Sequence, residues 1–297
     1  STADTTAKTQ TIVFDITDKY LATSAISTTD TSKIHVFVDE EEASSVTKTI
    51  TNIQQLKAII NGTEKTIGYR YTLKLSNFER PTRNAKGYKD WSGTVSIKID
   101  ENTAKDTSGT GNAQTTIAGE YIDVINPGIY YTHSSTDINS TNNTYTMTFE
   151  VTDKYYTNGQ LTIDDLTILM ENGQYEREQD ANGEWQYKLD ENGNKIPLIF
   201  DLKQQEDVTI ALNVEDKIAE NVKVTNASTG RVETIANHVI GQTYTLTISN
   251  LQHSFSYGKY TTDFYSGNLT VSVAKDKIAD RTGSKNDATT ITTGINI

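Results

Sequence analysis

The chain contains the same passage twice. Trp91 to Ile117 reads WSGTVSIKIDENTAKDTSGTGNAQTTI, and 174 positions later Tyr265 to Ile291 reads YSGNLTVSVAKDKIADRTGSKNDATTI. Both run aromatic-Ser-Gly, an alternating apolar stretch, a polar turn holding Asp-x-x-Gly-x-x-Asn, and Thr-Thr-Ile. Two further pairs agree at five positions in seven: FDITDKY at 14–20 with FEVTDKY at 149–155, and YTLKLSN at 71–77 with YTLTISN at 244–250. A duplicated passage specifies a duplicated folding unit. The 297 residues are therefore expected as two domains, 1–119 and 120–297, each long enough to bury its own core.

The repeated stretches alternate with period two, which is the pattern of half-buried strands. Ile12, Phe14 and Ile16 share one face, as do Ile34, Val36 and Val38, then Val95, Ile97 and Ile99; Met147, Phe149 and Val151 repeat the first set. Leu166 to Met170 answers the strand at 33–39, and Tyr121 to Ile125 reads as the first strand of the second domain. The acidic run Asp39 to Glu42 reads as a solvated turn. One segment breaks the period. Asn52 can cap, Gln55 follows three residues later, and Ile53, Leu56, Ile59 and Ile60 form one stripe before Gly62, which predicts a short helix.

The spacing between copies is 135 for the first pair and 173 for the second, so the second domain carries 38 extra residues, placed at about 172–209. Asn182-Gly183 and Asn192-Gly193 flank an alternating run with Trp185, Tyr187 and Leu189, which predicts a small β-meander with type I′ turns. Short alternating strands, frequent turns and little helix give the fold class: all-β, two tandem antiparallel β-sandwich domains, the second with a hairpin or meander insertion.

There is no cysteine, which excludes a disulfide scaffold, a thiolate metal site and a cysteine nucleophile. A net charge of −12 argues against nucleic acid as a partner. No apolar run reaches membrane-spanning length, so direct membrane insertion is not expected. An exported chain would then be a mature fragment of a longer array. There is no HExxH, GxSxG or phosphate loop, and the histidines are scattered, so no enzyme is expected.

The set V/I-T-D-K-Y, then Y-T-L-x-L/I-S-N, then S-G-x-[VL]-x-[VI]-x-[VI] followed by D-x-x-G-x-x-N and T-T-I, resembles the bacterial Ig-like repeats of large Gram-positive surface proteins. The resemblance covers both domains but not the extra residues. It implies tandem sandwiches at the cell surface or wall, serving as a stalk or as an adhesive module. The partners it implies are neighbouring Ig-like repeats and a host or cell-surface protein or glycan. Such domains also include members with an intramolecular Lys–Asn isopeptide bond; Lys19 and Lys154 are expected on exposed loops, which counts against one here.

Three candidate sites follow. Trp185, Tyr187 and Tyr175 are aromatic and confined to the extra residues, so they are the first place to seek a binding surface, with packing beneath the meander as the competing reading. A carbohydrate-binding accessory module is the functional alternative they suggest. Asp106, Asn112, Asp100 and Glu101 offer oxygens for Ca²⁺, and a calcium-rigidified linker is the second alternative. Against it, the second copy places Arg281 and Lys285 in the same turn, where Asp and Asn more simply bond to the backbone. The tyrosines and His253 within HSFSYGKYTTDFY, 253–265, form another aromatic loop. Asp18 and Asp153 occupy equivalent places and are expected either to pin the turn that follows each copy of the first strand or to bridge to the neighbouring domain.

Overall fold

The computed structural model describes residues 1–297 except 6, 22–25, 124, 138–142, 252–254, 258–259, 263–266 and 297; side chains at 133–137, 158, 255–257, 260–262 and 292–296 are also outside the description. His253 and Tyr265 therefore lie outside the described residues. The chain divides into two compact units. The first comprises Ser1–Ile125 with Asp153–Tyr155 and Ile218–His238; the second comprises Asn126–Thr152, Tyr156–Lys217 and Val239–Ile297. Among the described residues every strand pairing is antiparallel, and the only helices are two single 3₁₀ turns.

The first unit holds β1 (Thr2–Asp4), β2 (Thr9–Thr17), β3 (Ile34–Val38), β4 (Glu41–Glu42), β5 (Thr47–Ile60), β6 (Thr63–Ser76), β7 (Gly93–Ile99) and β8 (Thr115–Ile122). They form two four-stranded sheets, ordered β1-β2-β6-β5 and β4-β3-β7-β8. Alternation sends Ile12 and Phe14 of β2, Tyr71, Leu73 and Leu75 of β6, Val36 and Val38 of β3, and Val95 and Ile97 of β7 into one core, a sandwich-like arrangement.

The remaining strands are β9 (Gly128–Asp137), β10 (Thr144–Thr152), β11 (Tyr156–Asn158), β12 (Leu166–Tyr175), β13 (Arg177–Gln179), β14 (Trp185–Tyr187), β15 (Pro197–Asp201), β16 (Thr209–Thr225), β17 (Val232–Ser249), β18 (Phe255–Tyr257), β19 (Tyr260–Thr262), β20 (Asn268–Val273), β21 (Ala279–Asp280) and β22 (Thr289–Asn296). Two four-stranded sheets, β16-β17-β10-β9 and β15-β12-β20-β22, enclose a second core of Met147, Phe149, Ile168, Met170, Leu246 and Val271 among others.

The duplication is visible in the packing. Phe14 lies opposite Tyr71 across β2 and β6, with rings stacked at 5.2 Å and 20°. Phe149 lies opposite Tyr244 across β10 and β17, stacked at 5.0 Å and 8°. Each tyrosine hydroxyl accepts a backbone N–H from a loop earlier in the chain, of Ile26 at 3.4 Å and Leu161 at 3.0 Å. Such pairs are worth roughly 0.5–1.5 kcal/mol beyond the area they bury.

Four local expectations are corrected. The 51–62 segment is strand, not helix: β5 pairs with β6 from Thr47↔Ser76 to Ile60↔Thr63, and Ile59 is 78% exposed rather than part of an apolar stripe. Asn61 and Gly62 both have positive φ (52° and 77°), so the dipeptide makes a tight hairpin turn that outweighs the capping signal. In the 180–184 and 190–194 loops only Gly183 and Gly193 have positive φ, with Asp180 and Asp190 each accepting backbone N–H bonds; these are type I turns closed by a left-handed glycine, not type I′. Tyr121 and Ile122 end β8, paired with β7, instead of starting a separate strand. Finally, Asp39, placed in a solvated turn, is completely buried.

Candidate functional site

That burial locates the site. β3 and β4 are joined by two residues, Asp39 and Glu40, with φ of 48° and 60°. A two-residue hairpin of this hand normally carries Asn-Gly, because left-handed backbone costs a residue with a Cβ roughly 1–2 kcal/mol. Here the surroundings hold the strained carboxylate in place. Asp39 Oδ1 accepts from Thr94 N–H (2.8 Å) and the Thr225 hydroxyl (2.5 Å); Oδ2 accepts from Lys154 Nζ (2.6 Å) and the Tyr155 hydroxyl (2.6 Å). Lys154 Nζ also donates to the Ser92 carbonyl at 2.9 Å. Tyr155 is locked from both sides: its oxygen receives the Thr225 N–H at 2.8 Å while its hydroxyl donates to Asp39. Lys154 and Tyr155 are each 3% exposed.

A second acid adjoins them. Asp90, 2% exposed, accepts the Lys154 backbone N–H at 3.0 Å, and its other oxygen has no hydrogen-bond partner. Burial pushes its carboxyl above the ordinary range, opposed by the Lys154 charge and by backbone N–H groups. Further support comes from the Ser92 hydroxyl, which donates to Asp123 (2.8 Å), and from His238 Nε2, which donates to the Lys154 carbonyl (2.7 Å). Tyr121 meets Tyr155 edge-on at 5.5 Å.

The Asp90 shift has a measurable sign. A folded-state pKa above the unfolded value gives stability that is complete below the ordinary carboxylate range and is lost as pH rises through the raised value. Asp90→Asn keeps an oxygen for the Lys154 N–H and removes the titration. Thermal melts across pH should show wild-type stability declining on the alkaline side of the carboxylate range, with that component missing from the variant. An unchanged slope would mean that Asp90 does not titrate in this way.

Sequence reasoning missed Asp39, Asp90, Tyr155 and Thr225, and it placed Lys154 on an exposed loop, whereas that lysine is buried against a carboxylate. The signal available was the duplicated Asp-Lys-Tyr. Asp18 and Asp153 do pin their turns, each accepting the N–H two residues on at 2.7 Å.

The aromatic candidates are partly brought together. Tyr175 and Tyr187 meet at 6.0 Å but at 87°, and Trp185 lies on β14 two residues from Tyr187. Arg177 Cζ lies 4.1 Å and Lys195 Nζ 3.7 Å from the Tyr187 ring centre. Perpendicular rings carrying cations do not make a coplanar platform for a sugar face.

In the Asp-x-x-Gly-x-x-Asn turn, Asp106 Oδ1 accepts from Ser108 N–H and hydroxyl and from Thr110 N–H, and these donors, led by the Ser108 hydroxyl, hold its carboxyl below the usual range. The Asn112 amide accepts from Ala104 N–H and donates to the Asp100 and Ala113 carbonyls. Asp100 Oδ1 lies 3.3 Å from His35 Nε2, and Glu101 is exposed. Asp280 and Asn286 repeat the arrangement, the first accepting from Thr282 and Ser284 and the second from Lys277 and Ile278. Among the described residues no three His, Asp or Glu side chains converge as a metal site would need.

Among the described residues no helix is long and apolar enough to cross a membrane. Comparison with known proteins adds no relative: no family model, no curated protein and no solved structure matches this chain.

Proposed function

We propose that the chain is a non-enzymatic structural or adhesive segment of a Gram-positive cell-surface protein, built of tandem Ig-like modules that serve as a stalk. The observation that carries this reading is the repeated Phe–Tyr stack, Phe14–Tyr71 and Phe149–Tyr244, set in the same strand register in two units that each have their own core. Modules that repeat a complete core extend reach without new folding information. The hairpin of β13 and β14 is then the insertion that distinguishes the second module, and the stalk's partners are further repeats and a surface protein or glycan. The sugar-binding and calcium-linker alternatives draw less support, because the aromatic rings are perpendicular and the turn carboxylates are already bonded.

Single-molecule extension of the chain tests the stalk reading. Discrete unfolding events are expected, with a total contour gain of about 100 nm at ~3.6 Å per residue. Smooth extension without discrete events would exclude a stalk role.

The pocket favours one addition to this reading. Lys154 Nζ and Asp39 stand where an amide could form: the Nζ–Cγ bond forms, two protons pass from the Nζ ammonium to one carboxyl oxygen, the bond from Cγ to that oxygen breaks, and the oxygen leaves as water. Such a bond would turn the ion pair into a covalent brace. An intact mass lower by one water in wild type and restored in Lys154→Met is the expected signature; a wild-type mass equal to the sequence mass eliminates it.

A further inference from the structure

The two copies of Thr-Asp-Lys-Tyr are built alike and differ in one respect. In both, the threonine ends its strand opposite a glycine, Thr17 to Gly68 and Thr152 to Gly241. In both, the aspartate accepts the tyrosine N–H at 2.7 Å. The lysine Nζ lies over the neighbouring tyrosine ring at 5.3 Å for Lys19 on Tyr20 and 5.4 Å for Lys154 on Tyr155. The next residue then bridges to the aspartate of the Asp-x-x-Gly-x-x-Asn turn, Leu21 to Asp106 and Tyr156 to Asp280. Yet Tyr155 is 3% exposed and Tyr20 is 60% exposed, with Lys19 exposed beside it.

One copy therefore shows what this shape fits. Lys154 and Tyr155 fill a pocket floored by Asp39, walled by Asp90 and Thr225, and backed by Gly93. We infer that Asp18-Lys19-Tyr20 is a preformed docking element whose partner is a pocket of this kind on another copy of the repeat. Three physical points favour this occupant. The turn is already set, so docking orders few torsions. The tyrosine supplies a large amphipathic surface whose hydroxyl needs a buried acceptor, which Asp39 provides. The lysine makes the fit selective, since burying an ammonium without an opposing carboxylate is strongly unfavourable. A docking element and a pocket on one repeat are different surfaces, so each contact is head-to-tail.

The inference takes from the stalk reading only the identity of the partner, and it has its own test. In the wild-type chain the pocket already holds Lys154 and Tyr155. Lys154→Ala/Tyr155→Ala empties it while leaving Lys19 and Tyr20 in place. Sedimentation velocity on this variant, from about 1 to about 100 µM, should show a concentration-dependent rise in sedimentation coefficient that wild type lacks. Adding Lys19→Ala/Tyr20→Ala should return the variant to the monomer value. A folded double variant that stays monomeric, or a fourfold variant that still associates, overturns the inference. If circular dichroism shows the double variant unfolded, the readout is rescue. Excess wild-type chain should then restore its folding, and excess Lys19→Ala/Tyr20→Ala chain should not; failure of wild type to rescue overturns the inference equally. The stalk reading is untouched by these outcomes, because it stands or falls on extension.

Discussion

Lys154→Met lowers the stability of the first unit by about 3–5 kcal/mol, the usual cost of leaving one member of a buried ion pair without the other. Methionine keeps most of the volume, so the effect reports charge and not a cavity. Asp39 retains the Thr94, Thr225 and Tyr155 donors but loses the Lys154 ammonium. For a unit of this size the loss corresponds to a fall in Tm of roughly 6–20 °C. Asp39→Asn combined with Lys154→Met should recover most of it, because an uncharged pair has no desolvation penalty and asparagine tolerates the left-handed backbone at position 39. Differential scanning calorimetry of the two singles and the double measures the coupling. If the double variant is as unstable as the singles combined, Asp39 and Lys154 do not act as a pair.

Gly93→Ala is expected to be comparably damaging by a different route. Gly93 has φ of 143°, which costs a residue with a Cβ about 1–3 kcal/mol. The added methyl would also overlap the Asp39 carboxylate, whose position is fixed by four donors. Either Asp39 leaves the pocket and Lys154 loses its partner, or β7 shifts away from β3. The measurement is the lysine itself: acetylation followed by peptide mapping should leave Lys154 unmodified in folded wild type and label it in Gly93→Ala. Gly62→Ala is the control, since it also has positive φ but nothing within 4 Å of the added carbon. If it exposes Lys154 equally, backbone strain alone explains the effect.

The strands were legible in the residues because one sheet face is buried and period two follows. Ile12 and Phe14, Val36 and Val38, Val95 and Ile97 all point where alternation places them. The Ile53–Ile60 segment was misread because its isoleucines fit a helical stripe, while what holds it extended is pairing with β6 along its whole length. The Asn61-Gly62 hairpin signal was present and was weighed too lightly. The pocket was illegible for a different reason. In Asp-Glu-Glu-Glu at 39–42, nothing local separates the buried acid from its exposed neighbours. Its burial depends on Lys154, 115 positions away, and on Thr225, 186 positions away. The duplicated Asp-Lys-Tyr did mark one half of the site, but both copies read alike, and only the fold shows that one is covered.

The reach of Asp39 also sets an order of events during synthesis. β2, β5 and β6 are complete once Ser76 has emerged, so that sheet can form early. Asp39 must then wait for Thr225, which follows 186 positions later; at about 5–20 residues per second the interval is roughly 10–40 s. Throughout it, a carboxylate on a strained turn has water where its final partners belong. The amino-terminal unit is thus the first to begin folding on the ribosome, yet it cannot be finished until most of the chain has been made.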